Sequence, residues 1–384
     1  MRKDQVMEDL IALLERWCAI PSGSNDPDGL AEMHAAVAAH LAPLGCLIED
    51  VPLAGGSPAL LATMRPEAPL QVLLSGHLDT VYGREHLGAR REGGRLIGPG
   101  TADMKGGLAV MIAALERFEQ APEAASLGWR VVVTPDEEIG SPHSGALLRD
   151  LARRSTVGFV MEPATEGGGL VRSRMGVGVF RLVVHGRAAH AGRNPEDGRN
   201  AVVALSELVM HVAALHDPAR GVLVNPARLG GGGATNVVPE FAVAEVDVRV
   251  ARPAQALELP KRLEAAAAEV ASHHDLDVTV EGSFHRPPMP STPGSEALLK
   301  GARECGALLG LRLEGVDVGG GSDAALLADE GLPVLDGLGV RGGGMHSPDE
   351  HLEIASLTER TLLLACLLTR LARAEIWLPE WGGR

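Results

Sequence analysis

Histidines and carboxylates, with no thiolate among them, stand where the short apolar runs of this chain break off. The run at 70–75 ends in Ser75, Gly76, His77, Leu78 and Asp79. The run at 130–134 is followed by Asp136, Glu137 and Glu138, and the run at 157–161 by Glu162. Asp103 sits in the loop "GPGTADMKGG" at 98–107, and His346 in "GGGMHSPDEH" at 342–351. Two imidazoles and three carboxylates suit a pair of borderline divalent ions, zinc first. Two dications bring about four positive charges, which three carboxylates and a bridging hydroxide balance. His77, at the stiff end of a buried strand, is a ligand in this reading. Asp79 lies two residues on, on the same side of an extended chain, where it can accept the other ring N–H and set the tautomer.

Each residue alone has a plainer explanation. A histidine after a strand is usually just hydrogen-bonded, Asp103 before a helical pattern is a good N-cap, and Glu137-Glu138 could be a solvated turn. Their shared location carries the reading, because ligands of an open α/β sheet bind at the carboxyl ends of its strands. The apolar runs alternate with helical patterns at 104–118 and 144–154, which predicts an α/β catalytic domain with a largely parallel sheet and helices on both faces.

From about Met175 the texture changes. Strand patterns at 176–186, 221–229, 242–250 and 276–282 alternate with helical ones at 199–215 and 253–273. In 242–250, Val246, Val248 and Val250 share one face while Glu245, Asp247 and Arg249 share the other. The order β-α-β-β-α-β is that of a ferredoxin-like α+β sandwich. The Pro-rich stretch 285–294 crosses back, and helices at 294–309 and from Ser356, with a strand at 333–336, resume the α/β texture. The expectation is a discontinuous catalytic domain, 1–175 and 285–384, with a lid domain inserted at 176–284.

Composition narrows the classes. The 384 residues suit two domains. A formal net charge of −15 and no basic stripe argue against a nucleic-acid partner. The first twenty residues read as an amphipathic helix on Leu10, Leu13, Leu14 and Trp17, not as a leader, and no apolar run is long enough to span a membrane. Cytoplasmic placement is expected. Cys18, Cys46, Cys305 and Cys366 form no C-x-x-C pair and read as small buried hydrophobes.

"SGHLDTV", "GPGTADMKGG", "PDEEIGS", "MEPA" and "GMHSPDE", in this order and with "GRAAHAG" and "TNVVPE" in the inserted segment, resemble the M20 family of dinuclear zinc peptidases and deacylases. The likeness covers nearly the whole chain and is strongest to the glutamate carboxypeptidase-like members, then to the acetylornithine deacetylase and succinyl-diaminopimelate desuccinylase group. It implies two Zn2+ ions per subunit, with Co2+ or Mn2+ as possible substitutes. Asp103 would bridge both metals, His77 and Glu162 would complete one site, and Glu138 and His346 the other. Glu137 would be the general base, and the Asp103–Met104 peptide bond would be cis. His190 would reach in from the other subunit of a homodimer built on the inserted domain. Arg249 and Asn236 would bind the α-carboxylate of a small peptide or N-acyl amino acid substrate; the plainer alternative is that Arg249 pairs with Asp247 or Glu245 on its own strand.

The implied activity is metal-dependent amide hydrolysis, by a carboxypeptidase releasing a C-terminal acidic residue or by an N-acyl amino acid deacylase. A catalytically silent binding protein on the same scaffold would need a damaged ligand set, and none of the key positions is lost. A serine hydrolase is disfavoured, because "GGGSDAA" has Ala324 where a nucleophile elbow needs glycine. One departure stands out: His143 and Gly145 occupy a stretch where many relatives carry glycine and arginine, which leaves substrate identity open.

Overall fold

A computed structural model describes residues 3–379 of the chain. The chain divides into two compact units. The first holds the residues up to Ser173, Ser291–Val318 and those from Ser322 on; the second holds Arg174–Pro290 and Gly319–Gly321. The main-chain amides and carbonyls of Arg174 and Met289 bond one another at 2.9 and 3.0 Å, which ties together the two ends of the second unit's long segment.

The first unit is organised on a six-stranded mixed sheet. Leu70–His77 is buried along its whole length. It lies between Leu127–Thr134 and Val157–Val160, parallel to both. Val334–Leu335 continues the parallel part beyond Val157–Val160. Strands apolar on both faces, such as these, belong in a sheet covered on both sides. Ala59–Met64 and Leu47–Val51 extend the other side antiparallel, an addition the sequence patterns did not suggest. Leu47–Val51 is the edge, and its burial is correspondingly slight.

The helix Gly106–Glu119 is buried on nearly every side, packed by Ile354–Ala372. Its first two residues explain how it comes so close to the sheet. A Cβ on Gly106 would stand 2.3 Å from the Thr101 carbonyl oxygen, and one on Gly107 would stand 2.1 Å from that of Met161. Only glycine permits that approach, which brings the Asp103 loop against the chain leading into Glu162.

A second, smaller antiparallel sheet joins Arg90–Glu92, Arg95–Ile97, His351–Glu353 and Gly342–Gly343. It holds the two ends of the loop that carries His346.

The second unit has the order strand Gly176–His185, helix Ala201–Ala213, strands Val222–Gly231 and Phe241–Val250, helix Pro253–His274 and strand Asp277–Arg286. Its sheet is wholly antiparallel, with Gly176–His185 between Phe241–Val250 and Asp277–Arg286. Val246, Val248 and Val250 are fully buried in the core with Leu205, Leu208, Leu259 and Leu263 from the two helices. Glu245, Asp247 and Arg249, alternating with them, are only partly covered. Asn200 starts the first helix by accepting from the Val202 and Val203 amides, both at 3.1 Å. No helix among the described residues is long and apolar enough to cross a membrane.

Candidate metal centre

The ends of three strands and two loops of the first unit bring the ligand-type residues together. His77 is the last residue of its strand, and its side chain is almost completely buried. Its Nδ1 donates to the Asp79 backbone oxygen at 2.9 Å. The Asp79 carboxylate stands farther off, at 3.4 Å. The acceptor that orients the ring is thus chiefly the backbone of Asp79 rather than the carboxylate expected from sequence. The carboxylate is engaged elsewhere: Oδ1 accepts from the Glu137 amide at 3.1 Å, and Oδ2 from the Glu138 amide at 3.1 Å and from Ser24 Oγ at 2.8 Å. Asp79 therefore holds the strand end and the Glu137–Ile139 turn in one frame.

With Nδ1 occupied, His77 Nε2 faces Asp103 Oδ1 at 3.1 Å and Glu162 Oε1 at 3.8 Å. His346 Nε2 faces the other oxygen of Asp103, Oδ2, at 3.5 Å and Glu138 Oε2 at 3.2 Å. One carboxylate thus offers an oxygen to each of two ligand groups, His77–Asp103–Glu162 and Asp103–Glu138–His346, and the donor atoms within each group lie within 4.8 Å of one another. The peptide bond Asp103–Met104 is cis. Asp103 lies in the Thr101–Lys105 turn ahead of the Gly106–Glu119 helix and does not cap it.

Positive charge is what this cluster gathers. Burial raises Glu138 above the ordinary carboxylate range. Burial acts in the same sense on Asp103, but hydrogen bonds from His346 and His77 outweigh it and hold Asp103 below that range. Burial opposes a proton on His77, yet the Asp103 and Asp79 carboxylates lift it well above an ordinary imidazole. The hydrogen bond to Asp103 raises His346 as well. Three carboxylates this close need compensating cations. Imidazole nitrogen and carboxylate oxygen, in two groups of three sharing one bridge, fit a pair of borderline divalent ions.

Sequence reasoning missed the residue that braces the bridge. Glu350 is buried. Its Oε1 accepts from the Ala102 and Asp103 amides, both at 2.9 Å, and its Oε2 from the Gly100 amide at 3.1 Å. A carboxylate accepting three main-chain donors fixes the backbone on which Asp103 stands. Glu350 lies in the quoted "GMHSPDEH" motif, but nothing in its spacing marks it as a brace rather than a loop charge. Tyr82 Oη donates to the Ser347 carbonyl at 2.9 Å and secures the same loop. Lys105, also buried, donates to the Trp17 and Ile20 carbonyls at 3.0 and 2.9 Å and anchors the turn from the other side.

Asp136, expected among the site carboxylates, is fully employed within its own loop by the His143 and Ser144 amides at 2.8 and 3.2 Å and by Ser144 Oγ at 2.5 Å. Asp323 braces the same loop through Ser141 Oγ at 2.5 Å and Thr134 Oγ1 at 3.2 Å. The His143 ring packs over Gly55, where a Cβ would approach its Cδ2 to 2.4 Å. Gly145 simply opens the helix Gly145–Arg153.

The other three residues picked from the sequence belong to the second unit. His190 and Asn236 are exposed and neighbours, since the Ala191 amide donates to the Asn236 carbonyl at 3.0 Å. His190 Nδ1 accepts from the Gly192 and Arg193 amides at 3.1 and 3.2 Å. That puts the ring proton on Nε2 and makes it a donor. Arg249 is held at both ends of its fork: Nε and Nη2 face Asp247 at 3.2 and 3.4 Å, and Nη1 donates to the Gly319 carbonyl at 2.8 Å. One further group of ligand-type residues in the second unit, Glu207 with His273 and His274, forms direct imidazole–carboxylate bonds at 3.0 and 2.8 Å that join its two helices.

Comparison with known proteins gives the family. Residues 73–370 match the sequence profile of peptidase family M20/M25/M40. A carboxypeptidase G2 from Pseudomonas sp. (strain RS-16) is 31% identical over 370 residues, covering 94% of this chain and 88% of that protein. A succinyl-diaminopimelate desuccinylase from Acidovorax ebreus (strain TPSY) is 28% identical over 385 residues, covering 91% and 95%. The crystal structure of the aminopeptidase PepT from Bacillus cereus ATCC 10987 superposes with a TM-score of 0.82 at 19% identity, over 97% of this chain and 99% of that one, a likeness of fold. With most of its length matched and its metal-ligand groups assembled, the chain belongs to peptidase family M20/M25/M40 and is a metal-dependent hydrolase.

Proposed function

We propose that the protein is a dinuclear zinc carboxypeptidase that releases a C-terminal acidic amino acid from a small peptide or N-acyl amino acid. The observation that carries this reading is the sharing of Asp103 between two three-residue ligand groups, with Glu137 in the same turn as the ligand Glu138. His77, Asp103 and Glu162 would hold one ion, and Asp103, Glu138 and His346 the other. When bound, the pair supplies Lewis acidity and lowers the pKa of a water toward neutrality. Glu137 takes the proton of the attacking water and returns it to the leaving amide nitrogen. Asp79 keeps Glu137 and Glu138 in register by accepting both of their amide hydrogens.

In this proposal the second unit acts as lid and dimerisation domain. His190 Nε2–H, contributed by the partner subunit, donates to the developing oxyanion. Arg249 and Asn236 receive the substrate α-carboxylate, for which a guanidinium fork is suited. The carboxypeptidase G2 relative supports release of a C-terminal residue. The desuccinylase relative supports a second reading, removal of an acyl group from an amino acid.

The test is a mass-spectrometric screen of dipeptides and N-acyl amino acids with purified protein, added zinc and a chelated control. Chelator-sensitive release of glutamate or aspartate is the expected result. Turnover confined to acetyl- or succinyl-amines would move the protein to the deacylase reading. Turnover that survives metal removal would overturn both.

A further inference from the structure

Two of the four cysteines are not mere fillers of the core. Cys305, on the helix Pro293–Leu308, is fully buried in the core of the first unit. Cys366, on the helix Ile354–Ala372, is half-buried against that core and lines a groove of about 770 Å³. The two helices pack together, and both cysteines belong to the same core cluster, Cys305 inside it and Cys366 against it. Arg370 stands one turn after Cys366, on the same side of the helix. Its guanidinium is held by Glu375 at 3.0 Å and reaches across to the helix of Cys305, meeting Glu304 at 2.6 Å and donating to the Gly301 carbonyl at 3.5 Å. Gly301, Glu304 and Cys305 share one side of their helix, so the two cysteines stand on facing sides. Arg373 lines the groove as well.

The arrangement makes the two sulfurs unlike. The neighbouring Cys305 thiol, aided by the charges of Arg370 and Arg373, pulls the Cys366 thiol below its ordinary range. The proximity of Cys366, with burial, pushes Cys305 up. One sulfur thus has a groove, cations and thiolate character, which are the conditions of a reactive cysteine. Its partner is shielded in the core. The other two cysteines lack these features. Burial pushes Cys18 up to about 12. Burial also raises Cys46, whose thiol donates to the Leu41 carbonyl at 3.5 Å.

We propose that Cys366 is a peroxide-reactive thiol and that Cys305 resolves its oxidised form into an intrachain disulfide joining the two helices. The Cys366 thiolate attacks one oxygen of hydrogen peroxide; an S–O bond forms, the O–O bond breaks, and hydroxide leaves and is protonated to water. Cys366 is then a sulfenic acid, oxidised by two electrons, and the peroxide is reduced. The Cys305 sulfur attacks the Cys366 sulfur; an S–S bond forms, the S–O bond breaks, and the Cys305 proton leaves with the hydroxide as a second water.

The test treats the whole protein with stoichiometric hydrogen peroxide at neutral pH, blocks free thiols and maps a non-reducing digest. The expected product is a disulfide-linked pair of peptides containing Cys305 and Cys366. In Cys305→Ser, dimedone should label Cys366 at least about tenfold faster than Cys18 or Cys46. Absence of the linked peptide in the wild-type digest overturns the proposal, and so does equal or faster labelling of Cys46. The wild-type digest decides alone should the variant not fold.

Discussion

The metal-ligand end of the first unit and the polar surface of the second are built on opposite plans. In the first, every candidate ligand stands on a strand end or in a turn whose main chain is held by a further buried polar side chain. Asp79 holds the Glu137–Glu138 turn, Glu350 holds the main chain of Asp103, and Asp323 holds the loop beyond. In the second, His190 and Asn236 are exposed, and Arg249 rests on Asp247 and the Gly319 carbonyl of its own unit. Groups that must present fixed geometry to a cation are pre-organised. Under the proposed function, the groups that meet a variable organic substrate are satisfied locally and exchange those partners for a better one. Arg249 can leave Asp247 for a substrate carboxylate at small cost, because a partly exposed ion pair contributes little.

The sharpest way to break this contrast is Glu137→Gln. It keeps the turn and its amide bonds to Asp79 but removes the proton acceptor. Turnover is expected to fall by roughly 10²–10⁴-fold, with metal content by elemental analysis unchanged. An active variant would remove Glu137 from the proton path.

Next in size is Glu350→Ala. If the bridging carboxylate depends on its brace, metal affinity in a competing-chelator titration should fall by roughly 10–100-fold. Glu350→Gln, which retains acceptor capacity on one atom, should recover part of it. Unchanged affinity in both variants would mean that the cis turn holds itself.

The smaller effect concerns the second unit. Arg249→Ala should raise KM for substrates with a free α-carboxylate by about tenfold, the low end for one charge-assisted hydrogen bond, while leaving kcat and metal content nearly constant. Asp247→Asn, which loosens the resting partner, should leave KM equal or lower it. If neither variant moves KM, Arg249 is only the polar face of its strand.

Much of this was legible in the residues. Leu70–His77, Val157–Val160 and the alternating Phe241–Val250 follow directly from hydrophobic pattern, because burial on one or both faces leaves a period in the sequence. Leu47–Val51, Arg90–Glu92 and Arg95–Ile97 left no such trace. They are short, largely exposed and stabilised by their partner strands, so their own composition carries little signal. The ligand types and their order were also legible. Glu350 was not, because an acid that bonds main-chain amides some 250 residues away leaves no local pattern.

The sequence by itself determined the chemical inventory: imidazoles and carboxylates at strand ends, and a β-α-β-β-α-β segment following the α/β pattern. Those follow from residue type and short-range periodicity, which act over a few residues. Only the tertiary structure decided that Asp103 turns one oxygen to each ligand group, that the backbone oxygen of Asp79 lies nearer His77 Nδ1 than its carboxylate does, and that Asp136 is spent on its own loop. Each of these depends on which of several equally polar acceptors lies nearest a given donor. That choice is made by ångström-scale differences in packing between segments far apart in the chain, and no local pattern encodes it.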